Sequence, residues 1–404
     1  MLRRVQTMMP KQLTDSELLA QVIPVGVILT AGLGQRLYPL NQCRPKALMP
    51  LCNQRLLDYQ IDTMRALGVN TLILQMRPGR AARQIQAHID QHDGHAAADS
   101  QLRFVFLLDQ QPELFGMTQL RTMITTHFAL TSCDRLCRFP LDKLRRRHFG
   151  SAAHCTYALA SGLGEQVAGW FCDESGRMTR YAKQGGAGSL EHAGLLLASP
   201  HHIEQMLFPT ADYPFDFGDD PPWFGYPPQS AMFWSHVPAF RVNPAARWFA
   251  AMAPEVMAVD VGTPARYLQT HFQMLREDVP LPPPTAGYAR REARGWVHET
   301  AGISATARLY PPYMIGPNTT IAAGAEIGPL VVIGKDGVVG RNAGIRHTIL
   351  WDHVTVNDHI TLDGSVVADR VTVSQSARHV LLSRHRDLQK TDELLQSTTK
   401  GPVS

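Results

Sequence analysis

The residue types best suited to phosphate chemistry stand near the start of the chain, around a glycine turn. Gly32 and Gly34 follow a short apolar run, and the cations Arg36 and Lys46 come two and twelve residues after the second glycine. Backbone N–H groups in such a turn can bind phosphate oxygens, while a guanidinium adds a bidentate donor and an ammonium adds a point charge. A lone G-x-G could equally be a plain strand-to-helix turn with two surface cations.

Neither of the common phosphate-binding fingerprints is present in this turn. The dinucleotide fingerprint requires a third glycine three residues after the second, where this chain has Leu37. The ATP-type loop requires four residues between its glycines and then Lys-Ser or Lys-Thr, which this string also lacks. We therefore expect a third arrangement, in which the turn amides, Arg36 and Lys46 hold a triphosphate.

The elements that position this turn are predicted from hydrophobic periodicity. Val22–Leu29 is a short apolar run typical of a buried parallel strand. Leu57, Ile61 and Met64 recur at helical spacing before Gly68, which stands where a helix C-cap glycine would. Further strands are expected within 69–76, 102–109, 128–130, 153–160 and 195–198. This alternation indicates a parallel sheet with helices on both faces.

A second pattern begins after residue 300, where aliphatic residues recur every six positions. The repeat positions are Ile303, Leu309, Ile315, Ile321, Ile327, Ile333, Val339 and Ile345. A hexapeptide period indicates a parallel β-helix, in which each strand and turn contributes one inward aliphatic side chain. After Trp351, Val354, Ile360 and Val366 continue the period displaced by three, which predicts a loop or a short coil near 348–353.

These patterns divide the chain into segments of different character. The segment at 278–300 is rich in proline and arginine, as expected of a linker. The tail is expected to form a helix that caps the last coil. The predicted segments are a polar leader at 1–21, an α/β domain at 22–277, the linker at 278–300, the β-helix at 301–382 and a polar tail at 383–404.

Composition restricts the setting in which the protein works. The 404 residues carry a net charge of only +4, which argues against a nucleic-acid partner. The six cysteines form no C-x-x-C pair and no zinc pattern, so we expect free thiols in a reducing compartment. No signal peptide and no apolar run of about 18 residues is present, which predicts a cytoplasmic protein with no membrane partner.

Three features together resemble the sugar-nucleotide pyrophosphorylases, nucleotidyltransferases that join an NTP to a sugar 1-phosphate. Leu29–Leu51 is similar to their glycine signature and departs clearly only at Gln35, where threonine is common. The string "VDVGTPARYLQ" is similar to their Asp-x-Gly-Thr-Pro-x-x-Tyr-Leu motif and places Asp260. The third feature is the β-helix, which follows the catalytic domain in mannose-1-phosphate guanylyltransferases.

The resemblance spans about 23–375 and implies both a fold and a chemistry. The implied fold is a Rossmann-like nucleotidyltransferase domain with a mixed, mostly parallel sheet, followed by a left-handed parallel β-helix. In the implied reaction, a sugar-phosphate oxygen attacks the α-phosphate of the NTP in line and pyrophosphate leaves. Such a reaction requires neutralisation of the triphosphate, with Mg²⁺ as the cofactor.

The resemblance also implies roles for individual residues. Arg36 and Lys46 match the catalytic cations on the phosphates. Asp134 and Asp260 match the magnesium ligands, although Asp134 alone could be an ordinary strand-end acid, because Ser132-Cys133 replaces the family's Asn-Gly. The implied nucleotide-binding residues are Ala31, Gly32, Leu33, Gly34, Glu113 and Gly116.

The sugar side of the site matches the family less well. The family's Glu-Lys-Pro becomes Lys183-Gln184-Gly185, and His192 replaces an asparagine. Lys183 and His192 are the candidate sugar-binding residues, with a simple filler role left open for His192.

The leading hypothesis is an enzyme that makes an NDP-sugar for glycan or polysaccharide synthesis, with GTP and mannose 1-phosphate as the best substrate guess. The alternative is a non-catalytic regulatory or nucleotide-sugar-binding relative, suggested by the altered motifs. A third hypothesis is acyl transfer on the β-helix, suggested by His347, His353 and His359, which could stack on one face but could equally be corner residues. Because β-helix domains commonly associate, we expect a homo-oligomer.

Overall fold

The computed structural model describes most of the chain with its side chains. Three of the predicted site residues, Glu113, Gly116 and Asp134, lie outside the described residues. The described ranges are 13–93, 102–109, 117–133, 135–161, 169–184, 186–207, 215–216, 239–253, 257–279, 286–383 and 386–390.

The first part of the chain alternates strands and helices, as its periodicity predicts. Its strands are β1 (Val25–Leu29), β2 (Pro50–Leu51), β3 (Gln54–Arg55), β4 (Thr71–Met76), β5 (Arg103–Leu108), β6 (Phe128–Ser132), β7 (Arg135–Arg138), β8 (Cys155–Ala160), β9 (Gly169–Cys172), β10 (Met178–Ala182), β11 (Glu191–Ala198), β12 (Phe215–Asp216), β13 (Ala239–Val242), β14 (Trp248–Met252) and β15 (Met257–Asp260). Its helices are α1 (Asp15–Leu19), α2 (Leu56–Ala66), α3 (Arg80–Asp93), α4 (Met117–Met123), α5 (Leu141–Gly150), α6 (Pro200–Leu207) and α7 (Pro264–Arg276).

Within the described residues, the main sheet is mixed and mostly parallel, in the order β14-β8-β11-β6-β1-β4-β5. Only β11 runs antiparallel to its neighbours β6 and β8. In the central strand β1, Val27 and Ile28 are both fully buried, and they belong to the two different apolar cores on either side of the sheet. Helices cover both faces, which confirms the predicted α/β class.

The carboxyl end of β1 places the glycine turn at one edge of this sheet. Strand β1 lies between β4 and β6, and Leu29 is in register with Gln75 of β4 and Ser132 of β6. Because all three strands are parallel, their carboxyl ends meet at the same edge, where open α/β sheets bind ligands. The ribbon of β7 and β15 extends from this edge and pairs Arg135 with Asp260.

The second part of the chain is a stack of short parallel strands in three sheets, which confirms the predicted β-helix. Its strands are β16 (Tyr288–Glu292), β17 (Gly295–His298), β18 (Gly302–Ile303), β19 (Arg308–Leu309), β20 (Tyr313–Ile315), β21 (Thr320–Ile321), β22 (Glu326–Ile327), β23 (Val331–Ile333), β24 (Val338–Val339), β25 (Gly344–Arg346), β26 (Ile349–Leu350), β27 (Thr355–Val356), β28 (Thr361–Asp363), β29 (Val366–Val367), β30 (Thr372–Val373), β31 (Ala377–Arg378), β32 (Val380–Ser383) and β33 (Arg386–Lys390).

Two segments around the β-helix differ from their predicted character. Strands β16 and β17 lie within the predicted linker, and β17 pairs in parallel with β20, so the segment extends the first sheet. In the tail, Arg386–Lys390 is a strand antiparallel to β32, where the sequence predicts a capping helix.

In the leader, α1 is a short helix with a capping box at Thr14.

The hexapeptide positions point into the β-helix core, as predicted, but the later frame shift is smaller than the sequence suggested. Up to Ile345 the paired strands are 18 residues apart, as in Ile327 with Ile345, and the next pair, Ile345 with Leu362, is 17 apart. One residue is therefore lost beside the predicted short coil, and a second is lost by Val367, which pairs with Leu350; the frame is displaced by one residue and then two, not by three. Val354 and Ile360 still belong to the interior, but Val366 packs against the α/β part.

His347, His353 and His359 lie at corners of the β-helix, each with a positive φ, between 46° and 64°. The idea that they stack on one face is wrong, because residues six apart occupy successive corners of a three-sided coil. His347 and His353 contact different partners, Asp363 at 3.0 Å and Asp336 at 3.5 Å. The corner role is confirmed, and the motive for acyl transfer is removed.

None of the helices in the described part of the chain is long and apolar enough to cross a membrane. All six cysteines are described and none is in a disulfide, as expected for free thiols. The cellular location and self-association stay predictions.

Candidate functional site

The glycine turn is tied to β4 and packs over Lys46. The Thr30 N–H and hydroxyl both donate to the carbonyl oxygen of Gln75, at 2.9 and 2.8 Å. Gly34 has a φ of +59°, in the left-handed region that favours glycine, and a Cβ there would lie 3.4 Å from the Cβ of Lys46. Lys46 is only 6% exposed. The structure therefore brings the turn and one of its two predicted cations together.

The second cation, Arg36, meets the predicted metal ligand Asp260 at Gly262. A Cβ on Gly262 would lie 2.8 Å from Nη2 of Arg36 and 2.7 Å from Oδ1 of Asp260, so any larger residue there would displace these two groups. Gly262 also donates its N–H to Oδ1 of Asp260 at 2.6 Å. Two motifs more than 200 residues apart in the sequence thus converge on one point at the sheet edge.

Asp260 has a further partner that the sequence did not predict. Arg266, in the first turns of α7, donates from Nη1 to Oδ2 of Asp260. The guanidinium is 50% exposed and the carboxylate 21% exposed, so solvent reaches the pair. Both carboxylate oxygens therefore already accept a hydrogen bond.

Of the two predicted metal ligands, only Asp260 lies within the described residues, and its chemistry suits Mg²⁺. The carboxylate of Asp260 is a hard oxygen donor beside the guanidinium of Arg36, and each oxygen keeps a lone pair after accepting one hydrogen bond. The position of Asp134 lies outside the described residues, but its neighbours are held by α2: Gln60 Nε2 donates to the carbonyl oxygens of Ser132 and Arg135, at 3.1 and 2.7 Å.

A cleft of about 440 Å³ opens beside the glycine turn. Its size is in the range of roughly 300–1,000 Å³ that small-ligand sites occupy. Arg77 and Arg80 follow β4 and line this cleft, although sequence reasoning missed them. Their position after β4 could have indicated them, because the end of β4 meets the end of β1 at the same sheet edge. The turn supplies the other wall, through Thr30, Ala31, Gly32, Leu33 and Gln35.

The two predicted sugar-binding residues differ in their surroundings. Lys183 is exposed just after β10. His192 lies on β11, and its ring packs edge-on against Tyr157, with centroids 5.1 Å apart. Burial lowers the pKa of His192 to about 4, so the imidazole is neutral at pH 7. Its carbonyl oxygen accepts a hydrogen bond of 2.5 Å from Arg135.

A second cleft, of about 180 Å³, lies beyond Asp260, between β15, α7 and the start of β11. Four charged residues line it: Arg135, Glu191, Asp260 and Arg266. Arg135 and Glu191 were missed by sequence reasoning, although each adjoins a predicted residue, Asp134 and His192. Only the three-dimensional pairing of β7 with β15 shows that they share a cleft with Asp260.

Comparisons with known proteins agree with this architecture. Residues 25–157 match the family model described as "Nucleotidyl transferase", and 296–383 match the one described as "GMPPB C-terminal domain". A Sulfolobus acidocaldarius protein named "Putative mannose-1-phosphate guanyltransferase" is 21% identical over 305 residues, which cover 74% of this chain and 73% of that protein.

Two further relatives match over shorter stretches. The mannose-1-phosphate guanyltransferase of Hypocrea jecorina is 25% identical over 130 residues, which cover 30% of this chain and 34% of that protein. The translation initiation factor eIF2B subunit gamma of Schizosaccharomyces pombe is 28% identical over 138 residues, covering 31% of this chain and 29% of that protein. The fold and both family models therefore agree: residues 25–157 are similar to the nucleotidyl transferase family, and residues 296–383 are similar to the GMPPB C-terminal domain.

Proposed function

We propose that this protein transfers a nucleotidyl group from an NTP to a sugar 1-phosphate and releases pyrophosphate. The observation that carries the proposal is that the glycine turn packs against Lys46, while Arg36, two residues after the turn, meets Asp260 at Gly262. Phosphoryl-type transfer depends on positioning and on neutralising charge, which are the tasks such residues perform.

The reaction places clear demands on the chain. An oxygen of the sugar phosphate forms a bond to the α-phosphorus, and the bond to the bridging oxygen breaks, so that pyrophosphate leaves with the electron pair. The attacking oxygen is largely anionic at pH 7, because the second pKa of a phosphate ester is about 6. The chain therefore has to orient two anions and offset their repulsion, which Arg36 and Lys46 do at the turn.

We also propose that Asp260, with Asp134, holds Mg²⁺. When bound, the ion would supply further neutralisation of the phosphate oxygens. For the substrates we propose GTP and mannose 1-phosphate, because two of the relatives described above are named as mannose-1-phosphate guanyltransferases. The 440 Å³ cleft beside the turn, with Arg77 and Arg80 on its wall, is the proposed nucleotide site.

A pyrophosphate-release assay tests the proposal. Full-length protein is incubated with Mg²⁺, each of four NTPs and a panel of sugar 1-phosphates. We expect turnover with GTP and mannose 1-phosphate, and we expect Arg36→Ala to reduce kcat by at least about 100-fold. Arg378→Ala, on a late β-helix strand, serves as the matched arginine control. Absence of pyrophosphate with every pair would reject the proposal.

A second function is favoured by one observation. Arg266 pairs with Asp260, the proposed metal ligand. Because this ion pair competes with a metal ion, it would suit a non-catalytic member that binds a nucleotide or NDP-sugar. This alternative predicts measurable nucleotide binding without pyrophosphate release. Equilibrium binding of GTP and GDP-mannose, measured beside the turnover assay, distinguishes the two functions.

A further inference from the structure

The densest basic run of the sequence, Lys143–His148, lies on α5, and its cations have different surroundings. Arg145 is taken up by the fold, because it donates to backbone carbonyl oxygens of other segments. Lys143, Arg146 and Arg147 stand at i, i+3 and i+4, so they share one face of the helix. This face forms one wall of a third cleft, of about 470 Å³, which shares no lining residue with the two clefts described above.

The other walls of this third cleft come from β14 and from the turn between β9 and β10. Backbone pairing joins the two walls: Arg177 and Phe249 form a β-bridge, and the Ala250 N–H donates to the carbonyl oxygen of Gly176 at 2.9 Å. The shape of the cleft is therefore fixed by backbone hydrogen bonds. Its lining residues from these walls are Glu174, Ser175, Gly176, Ala250, Ala251 and Met252.

The guanidinium of Arg147 is fixed by the walls themselves. Its Nη2 donates to the carbonyl oxygen of Ser175, and its central carbon lies 4.8 Å from the centroid of the Phe249 ring. A cation over an aromatic face is attracted by the negative charge of the ring face. Arg147 therefore adds a positive charge to the cleft at a defined position, and its replacement would disturb the turn that it holds.

The residues that line the cleft carry an excess of positive charge. Lys143, Arg146 and Arg147 are accompanied by one acid, Glu174, among the described lining residues. Arg146 has a further acidic neighbour in Asp15 of α1, at 3.7 Å, but the two side chains are 44% and 75% exposed, so this pair is weak. Because a concave surface lined by one sign of charge concentrates the opposite sign, the cleft favours anions.

The β14 side of the cleft is apolar. Ala250 and Ala251 are buried there, and the side chain of Met252 is left 49% exposed. The volume of about 470 Å³ lies in the range of roughly 300–1,000 Å³ that small-ligand sites occupy. The cleft thus suits a ligand that has an anionic group at one end and an apolar group at the other.

We propose that this cleft is a second ligand site of the protein, for an organic phosphate whose phosphate group lies at Lys143 and Arg146 and whose apolar part lies on Met252. Lysine and arginine form short, charge-assisted hydrogen bonds with phosphate oxygens. The site is separate from the glycine turn, because β8, β11 and β6 lie between β14 and β1, which places those two strands roughly 19 Å apart. The proposal does not rest on the proposed function.

Calorimetric titration of the full-length protein with phenyl phosphate tests this site. In the double variant Lys143→Gln, Arg146→Gln the affinity should fall by at least about 10-fold, because hydrogen bonds to charged groups are lost. Glu174→Gln should raise the affinity by up to about fivefold, since it removes the negative charge from the lining. Arg147 is left unchanged because it holds the turn.

Inorganic phosphate is the probe that lacks the apolar part. It should bind wild type more weakly than phenyl phosphate does. Met252→Ser should reduce this difference, because the phenyl ring and the methionine side chain form one contact. An equal difference in wild type and Met252→Ser would contradict the placement of the apolar part.

Two control variants make the result specific. Lys335→Gln with Arg308→Gln removes two exposed cations of the β-helix, the same change in net charge, and should leave the affinity for phenyl phosphate unchanged. Arg36→Ala, beside the glycine turn, should also leave it unchanged.

The outcomes separate this site from the proposed catalytic site. Equal affinity in wild type and in the Lys143→Gln, Arg146→Gln variant overturns the proposal, as does absence of binding to wild type. Binding that is lost in Arg36→Ala and kept in the double variant assigns the probe to the glycine turn and overturns it too. Pyrophosphate release, measured on the same variants, reports on the proposed function alone.

Discussion

Arg44 forms a bidentate ion pair with Asp369, which joins the signature loop of the α/β part to the β-helix. The same guanidinium donates to Asp352 at 2.8 Å, and Arg55 reaches the same Asp352 oxygen at 2.7 Å. Burial would raise the pKa of Asp352, but Arg55 and Arg44 outweigh it and lower that pKa. The arginine two residues before Lys46 therefore contacts the β-helix, and it fixes the loop from which Lys46 comes.

An apolar contact surrounds this ion pair. Trp351 and Tyr267 are fully buried, and the Trp351 indole N–H donates to the Tyr267 hydroxyl at 3.0 Å. Met314 and Val332 of the β-helix share a core with Leu37, which directly follows Arg36. The β-helix is thus part of the support of the segment that follows the glycine turn.

Removal of Arg44 should destabilise this interface strongly. In Arg44→Ala the largely buried Asp369 loses its bidentate partner while Asp352 keeps only Arg55, so we expect a loss of about 3–5 kcal/mol in the free energy of unfolding. Arg308→Ala is the matched control, because its pair with Glu326 is exposed and worth about 1 kcal/mol or less. Urea unfolding followed by tryptophan fluorescence measures both, and equal losses would contradict the interface role of Arg44.

Gly262→Ala should disable the site while leaving the fold intact. The added Cβ would collide with Arg36 and Asp260, and a displacement of about 1 Å in a catalytic group costs roughly 100-fold in rate. Gly302→Ala is the control, since no atom lies within 4 Å of the Cβ position there. Turnover and the far-ultraviolet circular dichroism of both variants should be compared. Full activity in Gly262→Ala would show that Arg36 and Asp260 do not work as a unit.

Arg266→Gln should strengthen divalent-cation binding if Asp260 is a metal ligand. The guanidinium and the cation compete for one carboxylate, and a half-exposed ion pair is worth up to about 1 kcal/mol, or about fivefold in affinity. Calorimetric titration with Mn²⁺ or Mg²⁺ measures the change, and Asp260→Asn should abolish it. An affinity unaffected by either substitution would place the cation elsewhere.

Stability should fall with pH below about 6.5, because several histidines are buried in the neutral form. Burial lowers the pKa of His148 and of His202 to about 3, with neighbouring histidines adding to the shift, and that of His271 to about 4. Each folded pKa lies below the unfolded value of about 6.5, so the unfolded state binds more protons in acid. The stabilisation that these neutral histidines contribute is therefore fully present above pH 6.5 and is lost as the pH falls toward 4 and 3.

His271→Gln tests one part of this pH dependence. His271 Nδ1 donates to the carbonyl oxygen of Tyr267 at 2.9 Å, and a glutamine amide can also donate. Between pH 6 and pH 5 the variant should lose less stability than wild type, by up to about 1.4 kcal/mol per pH unit. Urea midpoints at several pH values measure the slope. Identical slopes would mean that His271 titrates normally in the folded protein.

The sequence predicted the elements of this fold where one physical pattern dominated. The hexapeptide aliphatics from Ile303 to Ile345 point inward because a single interior selects them. Val366 was misassigned because the β-helix sheet that faces the α/β part is apolar on both sides, and periodicity cannot distinguish the two faces.

The site residues that belong to local sequence motifs could be predicted, and those that only tertiary packing brings together could not. The turn, Arg36, Lys46 and Asp260 belong to strings that are recognisable alone. Glu191 and Arg266 are ordinary charged residues in sequence, and the packing of β11 and α7 against β15 brings them to one cleft.

The most direct test of the account follows the α-phosphate itself. GTP that carries a labelled α-phosphate is incubated with mannose 1-phosphate, Mg²⁺ and either wild type or Asp260→Asn. The account predicts that wild type transfers the label into a GDP-sugar with one pyrophosphate released per label, and that Asp260→Asn transfers almost none. Label that stays in GTP with wild type, for every base and sugar 1-phosphate offered, would contradict it.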